Sequence, residues 1–468
     1  MSDTECCLPY LFQHRPTIIA LRKPATITVF NESGRNIPEK VKKALSLGIG
    51  IGIGGAPNKV QIMSALENLF RHWEGYARLQ RLSPFNILDC KAKLLVEYGN
   101  LIKCRSDDEK VHTLNTFFNQ NTDLLLTEVD KTKDLQIMKK SDYEIKLNNM
   151  FGDTYYFKKL QRNPVQDDFK SLKKVINELK QHISSKTYNL ITPIEQLRRG
   201  YGIIKRHKLD HPIRPIISSI GAMTEGSEEW LKRILKPFIT DCTYSVDSVK
   251  EFKKLFMEHN KKFDPVSFEI VSFDIVSMYN NINTEWFLDH IIPKIYENPT
   301  EHFETEENNE EEKRTFQYPP EKLFRRFFKN ILHDFSAFFT LTGYFRQSKG
   351  LTMGSKISGA VANIFMNMLE TKIISKHINN GSIQFYCRFV DDIYCFIKKS
   401  ETENIMKEMN SFEKDLKFTI ERMSENEIHF LDTTTYLDDR NIPQLKQYRK
   451  PTASDVMFNF NENVCPKI

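Results

Sequence analysis

The sequence predicts a mixed α+β fold, and three observations predict it. Residues 60–150 carry apolar side chains at helical spacing, as in Ile62, Leu66, Leu69, Phe70 and Trp73. From about residue 199 the texture changes to β-branched runs: YGIIK at 201–205, RPIISSI at 214–220 and FEIVSFDIVSMY at 268–279. Helical and strand patterns then alternate to about residue 450. No internal repeat accompanies them.

The bulk numbers bound the class. At 468 residues, 40% hydrophobic and 12% aromatic, the chain can bury a large core and has length for two or three domains. Its 67 basic and 61 acidic residues leave a net charge of +6, which permits nucleic-acid binding through a local groove without requiring it. Cysteines stand at 6, 7, 90, 104, 242, 387, 395 and 465, with no CxxC pair and no accompanying His cluster. They read as free thiols of a reducing, intracellular compartment. No apolar run approaches the ~18 residues of a membrane span, and MSDTECCLPYLFQ lacks the plan of a secretory signal.

Along the chain, Pro24, Pro38 and Pro57 punctuate the first 60 residues, and EKVKKALSLG at 39–48 predicts a short helix stopped by Gly48. Gly50, Gly52 and Gly55 satisfy GxGxxG, but no strand–turn–helix unit surrounds them, so the run reads as a flexible loop. Residues 166–186 suggest a charged amphipathic helix, and the acidic stretch 298–314 a solvated loop. The segment from Lys205 to Arg214 is a basic, hairpin-like stretch whose Arg fork suits triphosphate oxygens. Its alternatives are a generic exposed basic turn and, for KRHK at 205–208, a nuclear-import signal.

Two segments carry the chemistry. VSFDIVSMY at 271–279 delivers one carboxylate, Asp274, at the end of a β-rich run. FYCRFVDDIYCFI at 385–397 reads as a β-hairpin with Asp391 and Asp392 at its tight turn. Adjacent acids within apolar strands are costly to bury without counter-charge. Three carboxylates converging from neighbouring strands could hold two Mg²⁺ ions about 3.5–4 Å apart, the arrangement that stabilises attacking and leaving oxygens in an in-line displacement. Between these segments, GLTMGSKISGAVANIFMNMLE at 350–370 begins as a Gly/Ser turn and becomes a helix, with Ile357, Val361, Ile364, Phe365, Met368 and Leu369 on one face and Ser355 or Ser358 as its cap. Its small residues would let a nucleotide approach the backbone.

Taken in order, seven segments are similar to reverse transcriptases, and most closely to the Penelope-like retroelement group, itself related to telomerase catalytic subunits. They are 123–143, 201–221, SFDIVSMYNNI at 272–282, 343–366, RFVDDI at 388–393, IHFLDTTTY at 428–436 and YRKPTASDVMFNFN at 448–461. The resemblance implies a right-hand polymerase fold: a helix-rich N-terminal extension at 1–119, fingers at 120–225, a palm at 226–440 and the start of a truncated thumb at 441–468. It implies Asp274, Asp391 and Asp392 as metal ligands, assisted by the backbone carbonyl of Ile275, for two Mg²⁺ ions, with Mn²⁺ an alternative. Tyr279 falls at the aromatic gate that favours dNTPs, and Arg214, Lys205 and Lys131 at basic positions holding the triphosphate. Met353, Gly354 and Ser355 match the turn beneath the incoming nucleotide. The partners implied are an RNA template, a DNA primer and dNTPs, with no membrane and a nuclear location.

Three departures qualify this pattern. Ser355-Lys356-Ile357-Ser358-Gly359 stands where the family has SPxSP, so both prolines are lost and Lys356 adds charge beside the nucleotide or template. A full thumb is expected after FNENVCPKI, so the reading is of a missing or short thumb that an oligomer or partner chain would supply. The GIY-YIG endonuclease that many relatives carry is not expected from these residues. Two other readings stand beside RNA-directed DNA synthesis: an RNA-dependent RNA polymerase, against which Tyr279 argues, and a non-polymerising nucleic-acid-binding protein, which the altered turn and short thumb favour.

Overall fold

The computed structural model describes residues 27–46, 108–132, 134–303 and 318–448. The Gly-rich run at 48–55, the Ile62–Trp73 pattern, most of the acidic stretch and the last twenty residues lie outside the described residues. The described residues divide into two units: those up to 143 with 204–212, and those of 144–203 with 213–448.

In the first unit, β1 (Val29–Asn31), β2 (Leu124–Glu128) and β3 (Leu135–Lys139) form a sheet in the order β1-β3-β2. β1 runs parallel to β3, and β2 antiparallel to it. Helices α1 (Glu39–Leu45) and α2 (Asp108–Gln120) share a core with this sheet through Val41, Leu45, Phe117, Leu124 and Ile137. α1 is the helix the sequence predicts at 39–48. It carries Glu39 in its first turn and Lys42 and Lys43 in its last, charges that suit the helix dipole.

The second unit contains a five-stranded sheet, a four-stranded sheet and a small three-stranded one. The first orders β4 (Phe157–Leu160), β9 (Gly343–Gln347), β8 (Ala337–Thr340), β5 (Arg198–Ile204) and β6 (Ile213–Ser218). Phe151, at the end of α3 (Lys140–Phe151), packs its ring 5.0 Å from both Phe157 and Phe338. The central sheet orders β10 (Ile383–Phe389), β11 (Asp392–Lys398), β7 (Phe268–Ile275) and β12 (Phe418–Arg422), all neighbours antiparallel. The small sheet comprises β13 (Glu427–Phe430), β14 (Thr433–Leu437) and β15 (Pro443–Gln447).

Helices cover these sheets for reasons visible in their sequences. α4 (Val165–Leu179) and α5 (Ser185–Ile191) replace the single helix predicted over 166–186, because the Ser184 hydroxyl accepts from the Thr187 amide and starts a second helix. α6 (Glu225–Thr240), α7 (Val249–His259) and α8 (Thr284–Glu297) follow. α9 (Glu321–Lys329) reads EKLFRRFFK, and Phe324, Phe327 and Phe328 at i, i+3 and i+4 are fully buried while its basic residues face outward. Each such ring contributes about 1.5–3 kcal/mol by leaving water. α10 (Ser358–Leu369) runs through the core, buried at Ala360, Val361, Ala362, Ile364, Phe365 and Met366, so it is apolar nearly all round and not on one face. α11 (Thr402–Ser411) completes the layer.

Among the described residues Cys242, Cys387 and Cys395 are free and buried. Burial pushes the Cys242 thiol up to about 11 and raises the Cys387 and Cys395 thiols as well, so these sulfurs pack as small apolar groups. No described helix is long and apolar enough to cross a membrane. One close approach fixes the α5–α6 corner: a Cβ on Gly226 would lie 1.9 Å from the Leu190 carbonyl oxygen. Gly226→Ala is expected to cost about 1–3 kcal/mol or more through overpacking against backbone, read as a lowered midpoint in urea unfolding.

Candidate active site

The alternation of β7 decides where its acid points. Val271, Phe273 and Ile275 are buried in the main core, with Ile393, Cys395 and Ile397 of β11 on the same side. The opposite face carries Ile270 and Phe396, then Ser272 and Tyr394, then Asp274 and Asp392, each a register pair. Ile270, Tyr394 and Phe396 belong to a second apolar cluster. That face is therefore apolar at one end and carboxylate at the other, as a period of two requires. Asp274 is exposed and Asp392 half-buried.

Residues directly opposite across an antiparallel ladder have Cβ atoms about 4.5–5.5 Å apart, and like charges there repel. Asp391 precedes Asp392 in the connecting turn. Because Phe389 pairs with Asp392, the turn residues are Val390 and Asp391, and Asp392 opens β11. This corrects the sequence expectation, which put both acids in the turn. Val390 adopts φ +57°, as the first position of a two-residue II′-type hairpin turn requires. For a β-branched residue this costs about 1–3 kcal/mol.

The remaining predicted residues divide between the units. Tyr279 follows β7 in a short helix, Met278–Asn281, entered through Ser277 at φ +48°. Its phenol is raised in pKa by burial and then by the Asp391 carboxylate, which puts Asp391 within electrostatic reach and keeps the ring neutral at neutral pH. The Tyr279 carbonyl accepts from the Leu351 amide at 2.7 Å, tying the gate position to the Gly/Ser turn. Gly350, at φ +72°, has no room for a side chain, since a Cβ there would sit 2.3 Å from the Asn280 oxygen. The Met353 and Gly354 carbonyls accept from the Ile217 and Ser219 amides at 2.6 and 3.3 Å, which staples the turn to the end of β6, the strand bearing Arg214. Lys131 and Lys205 lie in the first unit. There the Asp130 amide donates to the Ile204 carbonyl at 2.7 Å, joining the neighbours of both lysines. Burial first, then Lys131, lowers the pKa of the nearby His207. In the same unit Arg206 stacks 3.8 Å from the Phe30 ring centre and pairs with Glu32 at 2.7 Å.

Sequence reasoning missed the groups that hold the turn. Glu228 of α6 is fully buried and pairs with buried Arg198 at 2.9 Å. It also accepts from Ser355 Oγ and the Lys356 amide, both at 2.8 Å, and from Thr224 Oγ1 at 2.8 Å. Arg198 in turn donates to Thr352 Oγ1 at 3.0 Å and to the Ile331 carbonyl at 3.0 Å. The expected Ser cap on α10 is not formed: Ile357 occupies the N-cap position, and the Glu228 carboxylate takes the Lys356 amide instead. The Lys356 ammonium pairs with Glu225 at 2.9 Å, which ties its side chain to α6. A Glu within the amphipathic EGSEEWLKRIL segment and an Arg in a strand of buried residues were the available signals, since neither charge can be buried alone.

The donor chemistry fits a hard divalent cation. Asp274 and Asp392 in register, with Asp391 beside them, offer only oxygen ligands. Mg²⁺ characteristically takes one or two carboxylates, keeps several waters and completes its shell with substrate phosphates. Among the described residues no three His, Cys, Asp or Glu side chains form a preformed metal cage. Removing the turn's anchor has a calculable effect: Glu228→Ala strands the Arg198 guanidinium in the core and is expected to cost about 3–5 kcal/mol in urea unfolding. Val390→Gly, which relieves the φ penalty, is expected to raise stability by about 1 kcal/mol in the same assay.

Comparison with known proteins adds two likenesses. Residues 305–431 match the family described as Reverse transcriptase (RNA-dependent DNA polymerase). The fold is similar to telomerase from Candida albicans, in complex with the TWJ fragment of telomeric RNA, at TM-score 0.50 and 11% identity, covering 89% of this chain and 66% of that one. The chain thus spans just under two thirds of that telomerase. Apo telomerase from Candida tropicalis aligns at TM-score 0.49 and 12% identity over 95% of this chain and 74% of that one. No curated protein matches. The chain has the α+β right-hand polymerase fold, and its segment 305–431 resembles the reverse transcriptase domain.

Proposed function

We propose that this chain is an RNA-directed DNA polymerase of the Penelope-like group, adding dNTPs to a primer 3′-hydroxyl on an RNA template. The observation that carries the reading is the register pair Asp274–Asp392, with Asp391 in the adjoining turn. The match at 305–431 and the polymerase fold support it.

In this scheme Asp274, Asp391, Asp392 and the Ile275 carbonyl would hold two Mg²⁺ ions, or Mn²⁺ in their place. When bound, such ions neutralise the triphosphate and make the primer hydroxyl a better nucleophile. The protein's own part is positioning and electrostatics. Arg214, Lys205 and Lys131 bind triphosphate oxygens. Tyr279 presents a neutral ring where a ribose 2′-hydroxyl would collide, and the Met353–Ser355 turn supports the nucleotide from below. The location proposed is the nucleus.

Primer extension on an RNA template tests this. The intact chain is expected to extend a DNA primer with dNTPs and to stop when the metal is chelated. Asp391→Asn should lower the rate by roughly 10²–10³-fold or more while primer–template binding changes little. Full activity in Asp391→Asn would refute the assignment. Tyr279→Val is expected to gain NTP incorporation; a wild-type enzyme that already prefers NTPs would favour RNA synthesis instead. Steeply salt-dependent binding without extension in either metal would favour a non-polymerising nucleic-acid-binding protein.

A further inference from the structure

The hairpin that carries Asp391 is gripped from behind by a buried polar group with no part in the scheme above. Arg388 lies three residues before Asp391 on β10, and its side chain and that of Glu370, just past α10, are fully buried. Arg388 Nε donates to Glu370 Oε1 at 2.6 Å and Nη2 to Oε2 at 3.2 Å. Nη2 also donates to Asn363 Oδ1 at 2.8 Å, and Nη1 donates to the Val390 carbonyl at 3.0 Å. The Tyr386 hydroxyl donates to Glu370 Oε1 at 3.0 Å. The backbone is held as well: the Arg388 amide donates to the Tyr244 carbonyl at 2.9 Å, and its carbonyl accepts from the Val246 amide at 2.8 Å.

We propose that Arg388 is a positioning residue for the Asp391 carboxylate: its guanidinium, oriented by Glu370 and Asn363, clamps the Val390 carbonyl and fixes the direction in which the turn presents Asp391. The inference rests on Asp391 being a cation ligand. Stability alone does not account for the pair, because exchanging a buried ion pair for apolar residues is often neutral or stabilising. What the pair supplies is geometry. Val390 sits in a conformation a β-branched residue resists, and the clamp acts on the peptide joining Val390 to Asp391. A planar fork can face a carboxylate, an amide oxygen and a turn carbonyl at once; an ammonium on a shorter stem cannot. Groups that orient metal-binding side chains in this way typically account for 10–100-fold in metal affinity or activity.

The test is Mn²⁺ binding to the full chain, followed by the electron paramagnetic resonance of the free ion, beside primer extension and urea unfolding. Arg388→Lys keeps a cation near Glu370 but gives up the clamp. The paired change Arg388→Met with Glu370→Met removes both charges, so it decides the matter if Arg388→Lys does not fold. Both are expected to bind Mn²⁺ about 10–100-fold more weakly, with extension reduced at low metal and recovering at high metal, a recovery that general loss of structure would not give. Wild-type Mn²⁺ affinity in the folded variants, with binding lost in Asp391→Asn, would overturn the positioning role and leave Asp391 as ligand. Unchanged Mn²⁺ binding in Asp391→Asn would overturn the ligand reading and this inference with it.

Discussion

The antiparallel ladder between β7 and β11 is the constraint on which the rest depends. Its register pairs Asp392 with Asp274 and, four residues along, Phe396 with Ile270. A slip of one residue would exchange Phe273 for Asp274 on the face that packs into the main core, burying a carboxylate and exposing a ring. Apolar burial on both sides of the sheet forbids that slip: Val271, Phe273 and Ile275 on one, Ile270 and Phe396 on the other. The two acids stand together because the hydrophobic pattern around them leaves no other pairing. The repulsion between them is the local cost of that arrangement.

Two buried ion pairs carry this order outward. Arg198–Glu228 ties the Gly/Ser turn to α6, and Arg388–Glu370 ties the acidic hairpin to the end of α10. For Arg198, loss of water lowers the pKa against the pull of Glu228; for Arg388, the same loss is outweighed by Glu370 and the pKa rises. Both guanidinium groups remain charged. Neither pair is a rich source of stability, since desolvation offsets most of the attraction. Each directs several hydrogen bonds onto backbone that other forces leave loosely determined: the Lys356 amide and Thr352 in one case, the Val390 carbonyl in the other. α10 runs from one anchor to the other, which makes it the rigid spacer between turn and hairpin.

Much of this was legible in the sequence, for physical reasons that also mark the boundary. Strands β5, β6, β7, β10 and β11 were visible because β-branched and aromatic residues are dense there, and Asp274, Asp391 and Asp392 stood out because each sits at the end of a largely apolar run. The α+β class followed from the change of periodicity along the chain, and the short helix expected at 39–48 from its composition and the Gly48 stop. The fine position of the turn was missed: VDD suggests the acids as its tip, whereas backbone pairing gives the tip to Val390 and Asp391. The cap of α10 was missed too, because a carboxylate more than 120 residues away in sequence does the work of the expected serine. The Glu225 partner of Lys356 was not legible either. These are long-range polar contacts, and local pattern carries no record of which distant group will meet them.

The carboxylates of Asp274, Asp391 and Asp392 are the proposed ligands of divalent cations over a nucleotide. The most direct measurement is anomalous scattering from Mn²⁺ in crystals of the chain with an RNA–DNA hybrid and an unreactive dNTP analogue. That assignment requires metal peaks bounded by Asp274 on one side and Asp391 on the other, with the analogue's phosphates completing the shell. Mn²⁺ absent from that face, or bound elsewhere with Asp274 turned away from the hairpin, would contradict it.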